Sequence, residues 1–197
     1  MKKLKKKNGS GLLPIFIIFT FILLFILLDF ELTKYTLVSE GETCSDKLIS
    51  ANLASLNSPN INLDLLSESP SKKIIMIKDP NLALETWEKH LKYNFGLDDN
   101  YEPESKTSFI KSKVDIKRFI IYNVNIQTND VTVYTLNPST HQFDVEDHPN
   151  GKGNLKTDKG NTIQVTSLDT DIGFTINMMF GHTKYVEVSE DSFAYKK

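Results

Sequence analysis

The first 28 residues constrain this chain more than any other stretch: a lysine cluster, Lys2, Lys3, Lys5, Lys6 and Lys7, precedes an uncharged run from Leu12 to Leu28 built almost wholly of Leu, Ile and Phe. Only Pro14 and Thr20 interrupt it. As a helix the run is ~25 Å long, close to the thickness of a bilayer core. A cleaved signal peptide shares the basic start, but its apolar region spans roughly 7 to 15 residues and ends at a small-x-small site. Here the run ends in Asp29-Phe30-Glu31-Leu32, and the nearest such triplet, Ser39-Glu40-Gly41, is distant. The expectation is an uncleaved single-pass anchor in the lipid bilayer of the cell membrane. Lysines before the run and acidic residues after it place the N-terminus in the cytoplasm and the rest of the chain outside.

Four regions follow: a basic cytoplasmic tail over 1–11, a transmembrane helix over 12–28, an extracytoplasmic helical extension over 29–56 and an extracytoplasmic domain over 57–197. Length and the 40% hydrophobic content allow one domain with a real core. The formal net charge of -2 conceals an asymmetry, because without the five N-terminal lysines the remainder carries -7. Such acidity argues against phosphate-backbone binding, so no nucleic-acid partner is expected. Arg118 is the only arginine among 23 basic residues. That skew points to a low-GC bacterium rather than to a mechanism.

The single cysteine, Cys44, cannot form an intramolecular disulfide, so packing has to hold the exported domain. Gly41-Glu42-Thr43 lacks the small residues of a lipobox, and a nucleophile needs a histidine placed by the fold. The favoured reading is a small residue packed on a helix face. Spacing supports it: Leu37, Gly41, Cys44, Leu48, Ala51 and Ser55 recur at alternating steps of four and three with no proline from Glu31 to Leu56. Small residues along that stripe permit close approach of another element, by burial in the domain or at an oligomer seam. Asn57-Ser58-Pro59-Asn60 then breaks the helix.

The domain reads as α+β. Ile74 to Ile77, within Lys73 to Lys78, has strand length, and Asp79-Pro80 starts a helix with Asp79 as cap. Leu84, Trp87, Leu91 and Phe95 form its inner face, Glu85, Glu88, Lys89 and Lys92 face water, and Gly96 terminates it. From Val114 strands take over. Ile120 to Gln127 alternates, Thr128-Asn129-Asp130 turns the chain, and Val131 to Leu136 returns as a hairpin. A polar loop, His141 to Lys159, carries turn signals at Pro149-Asn150-Gly151 and Thr157-Asp158-Lys159-Gly160. Thr162 to Ser167, Ile172 to Met178 before Phe180-Gly181, Lys184 to Ser189, and Ser192 to Tyr195 read as further strands, giving a mainly antiparallel sheet.

Candidate chemistry is sparse. Asp144, Glu146, Asp147 and His148 are the densest set of potential ligands and would suit a hard cation such as calcium, but their spacing matches no calcium loop, and a solvated acidic loop is the expectation. Asp98, Asp99, Glu102 and Glu104 surround Pro103 in an exposed connection, Asp169 and Asp171 flank a turn, and His90, His141 and His182 are scattered. No G-x-S-x-G, H-E-x-x-H, P-loop or paired C-x-x-C pattern occurs. No catalytic residue, cofactor or metal site is therefore assigned.

The basic start, Gly9-Ser10-Gly11, the apolar helix, the rod ending in Leu48-Ile49-Ser50-Ala51-Asn52-Leu53-Ala54-Ser55, Asp79-Pro80, the helix closing in Leu91-Lys92-Tyr93-Asn94-Phe95-Gly96-Leu97-Asp98-Asp99-Asn100 and the β-rich tail together resemble the pseudopilin-like proteins of Flp/Tad-type pilus systems of low-GC bacteria. The resemblance implies protein partners in a pilus or envelope assembly and no catalytic residue. Prepilins of this class are cleaved after a glycine with glutamate at the fifth mature position. Cleavage after Gly9 places Pro14 there and cleavage after Gly11 places Phe16. Without that carboxylate the chain fits a minor, TadE- or TadG-like component better than a polymerising subunit. The competing expectation is an anchored binding module for cell-wall polymer, sugar or a divalent cation, with its site around Asp144 to His148. An anchored hydrolase ranks third.

Overall fold

The computed structural model describes residues 12–57, 61–64, 74–178 and 182–194, with backbone alone for 61–64 and 74–75. The basic tail over 1–11, the breaker Ser58-Pro59-Asn60, Lys73, Phe180-Gly181 and Tyr195 lie outside the described residues. Contacts divide the chain into two compact units, Met1–Glu40 and Gly41–Lys197.

Helix α1 runs from Leu12 to Leu56. Pro14 is tolerated in its first turn, where an amide has no intrahelical acceptor to lose. In the first unit Thr20 and Thr36 donate their hydroxyls back to Phe16 O and Leu32 O at 2.8 and 3.0 Å, so neither presents an unmet donor. Every large apolar side chain from Leu12 to Leu28 is exposed, between 46% and 76%. This one helix, near the N-terminus, is long and apolar enough to cross a membrane by length and composition.

The second unit is α+β, as the sequence implies. Its share of α1 buries Cys44, Leu48, Ala51, Asn52, Ser55 and Leu56. The small-residue stripe is thus a packing seam from Cys44 onward. Gly41 is exposed and a Cβ there would meet nothing within 4 Å, so no close approach occurs at that glycine. Asn57 ends the helix by donating both its backbone and side-chain nitrogens to Leu53 O, at 2.9 and 2.7 Å.

Strand β1 (Ile61–Asp64), too short to stand out in the sequence, pairs antiparallel with β2 (Ile74–Ile77). Helix α2 (Pro80–Phe95) begins as expected: Asp79 is extended, and its carboxylate accepts from Asn81 N and Leu82 N at 2.9 and 3.3 Å. It ends at Gly96, where φ of 62° suits a residue without Cβ. Ala83, Leu84, Trp87, Leu91 and Phe95 are buried. Glu88, expected in water, retains only 17% side-chain exposure because His141 lies beside it.

The main sheet has the order β5-β4-β3-β6-β7, all antiparallel, built from β3 (Asp115–Val124), β4 (Val131–Asn137), β5 (Gln142–His148), β6 (Ser167–Asn177) and β7 (Thr183–Phe193). The β3–β4 hairpin forms as expected, but β3 ends at Val124 opposite Val131, and Asn125 to Asp130 make a longer loop where the alternation runs on to Gln127. Four expectations fail. Asp144 to His148 is edge strand, not loop, since only one side of β5 pairs and the other tolerates charge. Asp169 and Asp171 lie inside β6 rather than flanking a turn, and 162–166 precedes that strand as irregular chain. The last two expected strands are one, β7, because Asp169 to Ser167 of β6 pairs through Asp191, Ser192 and Phe193 without a break.

Both sheet faces are covered. One packs on the helices: Trp87 of α2 meets Phe119 at a 5.0 Å centroid distance, and Phe95 meets Phe174 at 6.4 Å. Asn123, on the same face as Phe119, exchanges hydrogen bonds with Ile77 N and O at 3.0 and 2.9 Å, so its amide ties the β1–β2 ribbon to the sheet. The opposite face carries Tyr122, Val124, Val131 and Val133 under Ile163, with Leu155 and Ile120 alongside. The β5–β6 connection, folded by turns at Gly151 and Gly160, supplies that second layer.

Candidate functional site

Sequence-identified residues do not converge. Along β5 the side chains alternate, so Asp144, Glu146 and His148 project to one side of the strand and Asp147 to the other. Asp147 accepts from Thr132 Oγ1 at 2.8 Å, and His148 Nε2 lies 3.5 Å from Glu146 Oε2. Among the described residues no group of three or more His, Cys, Asp or Glu is placed to hold a metal ion. Cys44 is buried at 4%, on the α1 seam. Asp98 caps its own loop by accepting from Asn100 N and Glu102 N at 2.8 and 2.9 Å, so that acidic stretch is a turn.

Of the scattered histidines, His141 acquires a setting. Its Nε2 is 3.3 Å from Glu88 Oε1. His141 also lines a cleft of about 330 Å³ together with Tyr101, Lys113 and Leu136. Burial, then the Glu88 hydrogen bond and charge, push the Tyr101 phenol well above its ordinary value.

The most concentrated polar constellation went unnoticed in the sequence. Arg118 on β3 donates Nε to Asp169 Oδ1 at 3.0 Å and Nη2 to Ser189 Oγ at 2.9 Å, while Nη1 pairs with Asp158 and lies 3.9 Å from Asp171 Oδ2. Asp169 is 0% exposed and its second oxygen accepts from Asp158 N at 3.0 Å. Around this centre Asp191 accepts from Thr157 Oγ1 and Asn161 Nδ2, both at 2.7 Å, and Lys159 Nζ is 2.6 Å from Glu190 Oε2. Ser45 of α1 donates to the other Glu190 oxygen. Thr157, Asp158, Lys159 and Asn161 thus pin the β5–β6 connection onto β6 and β7.

Electrostatics follow from this geometry. Burial opposes the Arg118 charge, but Asp169, Asp158 and Asp171 together raise its pKa. Burial and the Asp169 and Asp158 charges push the Tyr122 phenol up to about 12. Burial also raises the Asp171 carboxyl; Arg118 counters it and Glu187 and Asp169 reinforce it. Asp171 Oδ1 is buried with no hydrogen-bond partner among the described residues. Because the folded-state pKa lies above the ordinary value, the native state holds the proton more tightly than the unfolded state, and this contribution is lost as pH rises through the folded pKa. Asp171→Asn is therefore expected to raise stability at neutral pH by about 1 kcal/mol, ~3 °C in midpoint. The gain should vanish below the ordinary aspartate value of 3.8. Thermal unfolding of both chains in detergent across that pH range measures it; an equal gain at every pH would refute the ionisation argument.

Every Arg118 nitrogen is engaged by the fold, so this constellation fastens a loop to a sheet. Comparison of the chain with family models, curated proteins and solved structures finds no match.

Proposed function

We propose that the chain is a single-pass, membrane-anchored, non-enzymatic accessory component of a pilus-type secretion assembly, of the pseudopilin-like Flp/Tad class that its sequence resembles. One observation carries this reading. A single helix, α1, exposes its large apolar side chains through Leu28 and yet contributes Cys44, Leu48, Ala51, Asn52, Ser55 and Leu56 to the core of an α+β unit. Such a helix serves at once as anchor and as core element, which suits a subunit held at the membrane. The lysine cluster and the acidic remainder favour a cytoplasmic N-terminus and an external domain. The missing glutamate favours an accessory role over bulk polymerisation.

The test has two arms. The full chain should stay in the membrane pellet after an alkaline wash, and protease added to intact cells stripped of their wall should remove the domain. Mild-detergent purification should recover a secretion ATPase, a polytopic platform protein or a pilin. Membrane retention without any of these would leave an anchored protein and remove the pilus reading. For the rival binding module, the spread of Asp144 to His148 along an edge strand offers no convergent site, so the melting temperature is expected to be unchanged by calcium or wall fragments.

A further inference from the structure

A bilayer core of ~30 Å takes ~20 helical residues, so the run from Leu12 to Leu28 falls about three residues short. A short span is completed by drawing in flanking residues or by thinning the bilayer. On the N-terminal side Asn8-Gly9-Ser10-Gly11 brings no apolar side chain. On the other side, still within the first unit, Phe30, Leu32, Tyr35 and Val38 are exposed at 55%, 58%, 76% and 57%. Among the described residues beyond Val38 the large exposed apolar side chains, such as Leu53, Tyr93 and Val145, are scattered singly.

We propose that the segment Phe30 to Val38 lies in the outer phospholipid headgroup layer, so that the lipid-embedded part of α1 extends past the uncharged run. The proposal rests on the anchor reading above. Its residue types suit that layer: Tyr35 presents an apolar ring with a polar tip, and Lys34, a charge on an apolar stem, pairs with Glu31 at 4.0 Å. Asp29, Thr33, Thr36 and Glu40, at steps of four, three and four, supply a polar stripe for headgroups and water. Lipid is the occupant rather than a second copy of the chain. A helix seam needs apolar residues confined to one face at steps of three and four, whereas Phe30, Leu32, Tyr35, Leu37 and Val38 follow at two, three, two and one and occupy every side of the helix except the polar stripe.

Depth-dependent fluorescence quenching tests this on the full chain in phosphatidylcholine–phosphatidylglycerol vesicles. Tyr35→Trp and Phe21→Trp are compared, with nitroxide carried either on the lipid headgroup or deep on the acyl chain. Trp87 is 0% exposed, so the wild-type chain gives the unquenched baseline. The expected result is loss of Tyr35→Trp emission chiefly with headgroup nitroxide and loss of Phe21→Trp emission chiefly with acyl-chain nitroxide. If Phe21→Trp is quenched by the chain label while Tyr35→Trp responds to neither, the anchor stands and the headgroup placement is overturned. Stronger quenching of Tyr35→Trp by the deep label overturns it as well. If Phe21→Trp is untouched by both labels, the anchor itself fails, and the placement with it.

Discussion

Arg118→Ala is expected to lower the stability of the second unit by about 3 to 5 kcal/mol, the usual cost of removing one partner from a buried ion pair. The reason is Asp169, which is 0% exposed on β6 and would keep a single donor, Asp158 N, for its two oxygens. Asp171, whose Oδ1 already lacks a donor, would lose its only nearby cation on β3 other than Lys117. The β5–β6 connection would also lose the Asp158 anchor, loosening the layer that covers Tyr122 and Val133. Arg118→Lys should recover only part of the loss, because one ammonium cannot reach Asp169, Ser189 and Asp158 together. Adding Asp169→Asn to Arg118→Ala should restore part of it by discharging the stranded carboxylate. Denaturant midpoints of the four chains in detergent decide the matter. A loss below about 1 kcal/mol for Arg118→Ala would mean that the cluster behaves as a solvated surface pair.

That cluster also marks where sequence reading stopped. Features set by neighbouring residues were legible: Asp79-Pro80 and Gly96 bracket α2, and the turn before Val131 closes the β3–β4 hairpin. Partnerships between distant residues were not. Arg118 and Asp169 are separated by 51 positions, and nothing local distinguishes an aspartate inside a strand from one in a turn. The β6 aspartates therefore read as punctuation, and the sole arginine read as base composition. In the same way dense charge reads as solvent-facing chain, which makes β5 look like a loop and divides β7, whereas an edge strand accepts it. At Glu88 periodicity gave the correct helix face, but His141, supplied by the β4–β5 turn, covers it.

Asn52→Ala is the second substitution with a large expected effect, about 3 kcal/mol, because it strands several buried polar groups at once. Asn52 is 0% exposed on α1, and its Oδ1 accepts from Trp87 Nε1 of α2 at 2.8 Å and from Thr170 Oγ1 of β6 at 3.0 Å. Its Nδ2 donates to Glu190 O and Ser192 Oγ of β7, each at 3.3 Å. One amide therefore joins α1 to α2 and to two strands. Alanine would leave the indole N–H facing a small void and remove both Nδ2 bonds, while Thr170 could keep its hydroxyl on Glu190 O, 3.2 Å away. Trp87→Phe removes the indole donor and part of a buried ring; the ring loss is common to both backgrounds, so if the network is as described, the double substitution should cost less than the two single losses combined. Additive losses would show instead that the Trp87–Asn52 hydrogen bond carries no coupling. The result also bears on anchorage: the residues that hold Cys44 to Leu56 in the core belong to the same helix as the apolar run. Loss of Asn52 should therefore loosen the final turns of α1 from the sheet while the span from Leu12 to Leu28 stays helical. Hydrogen exchange should rise at Leu48 to Leu56 and stay unchanged at Phe16 to Leu24, and uniform exchange along α1 would contradict this division.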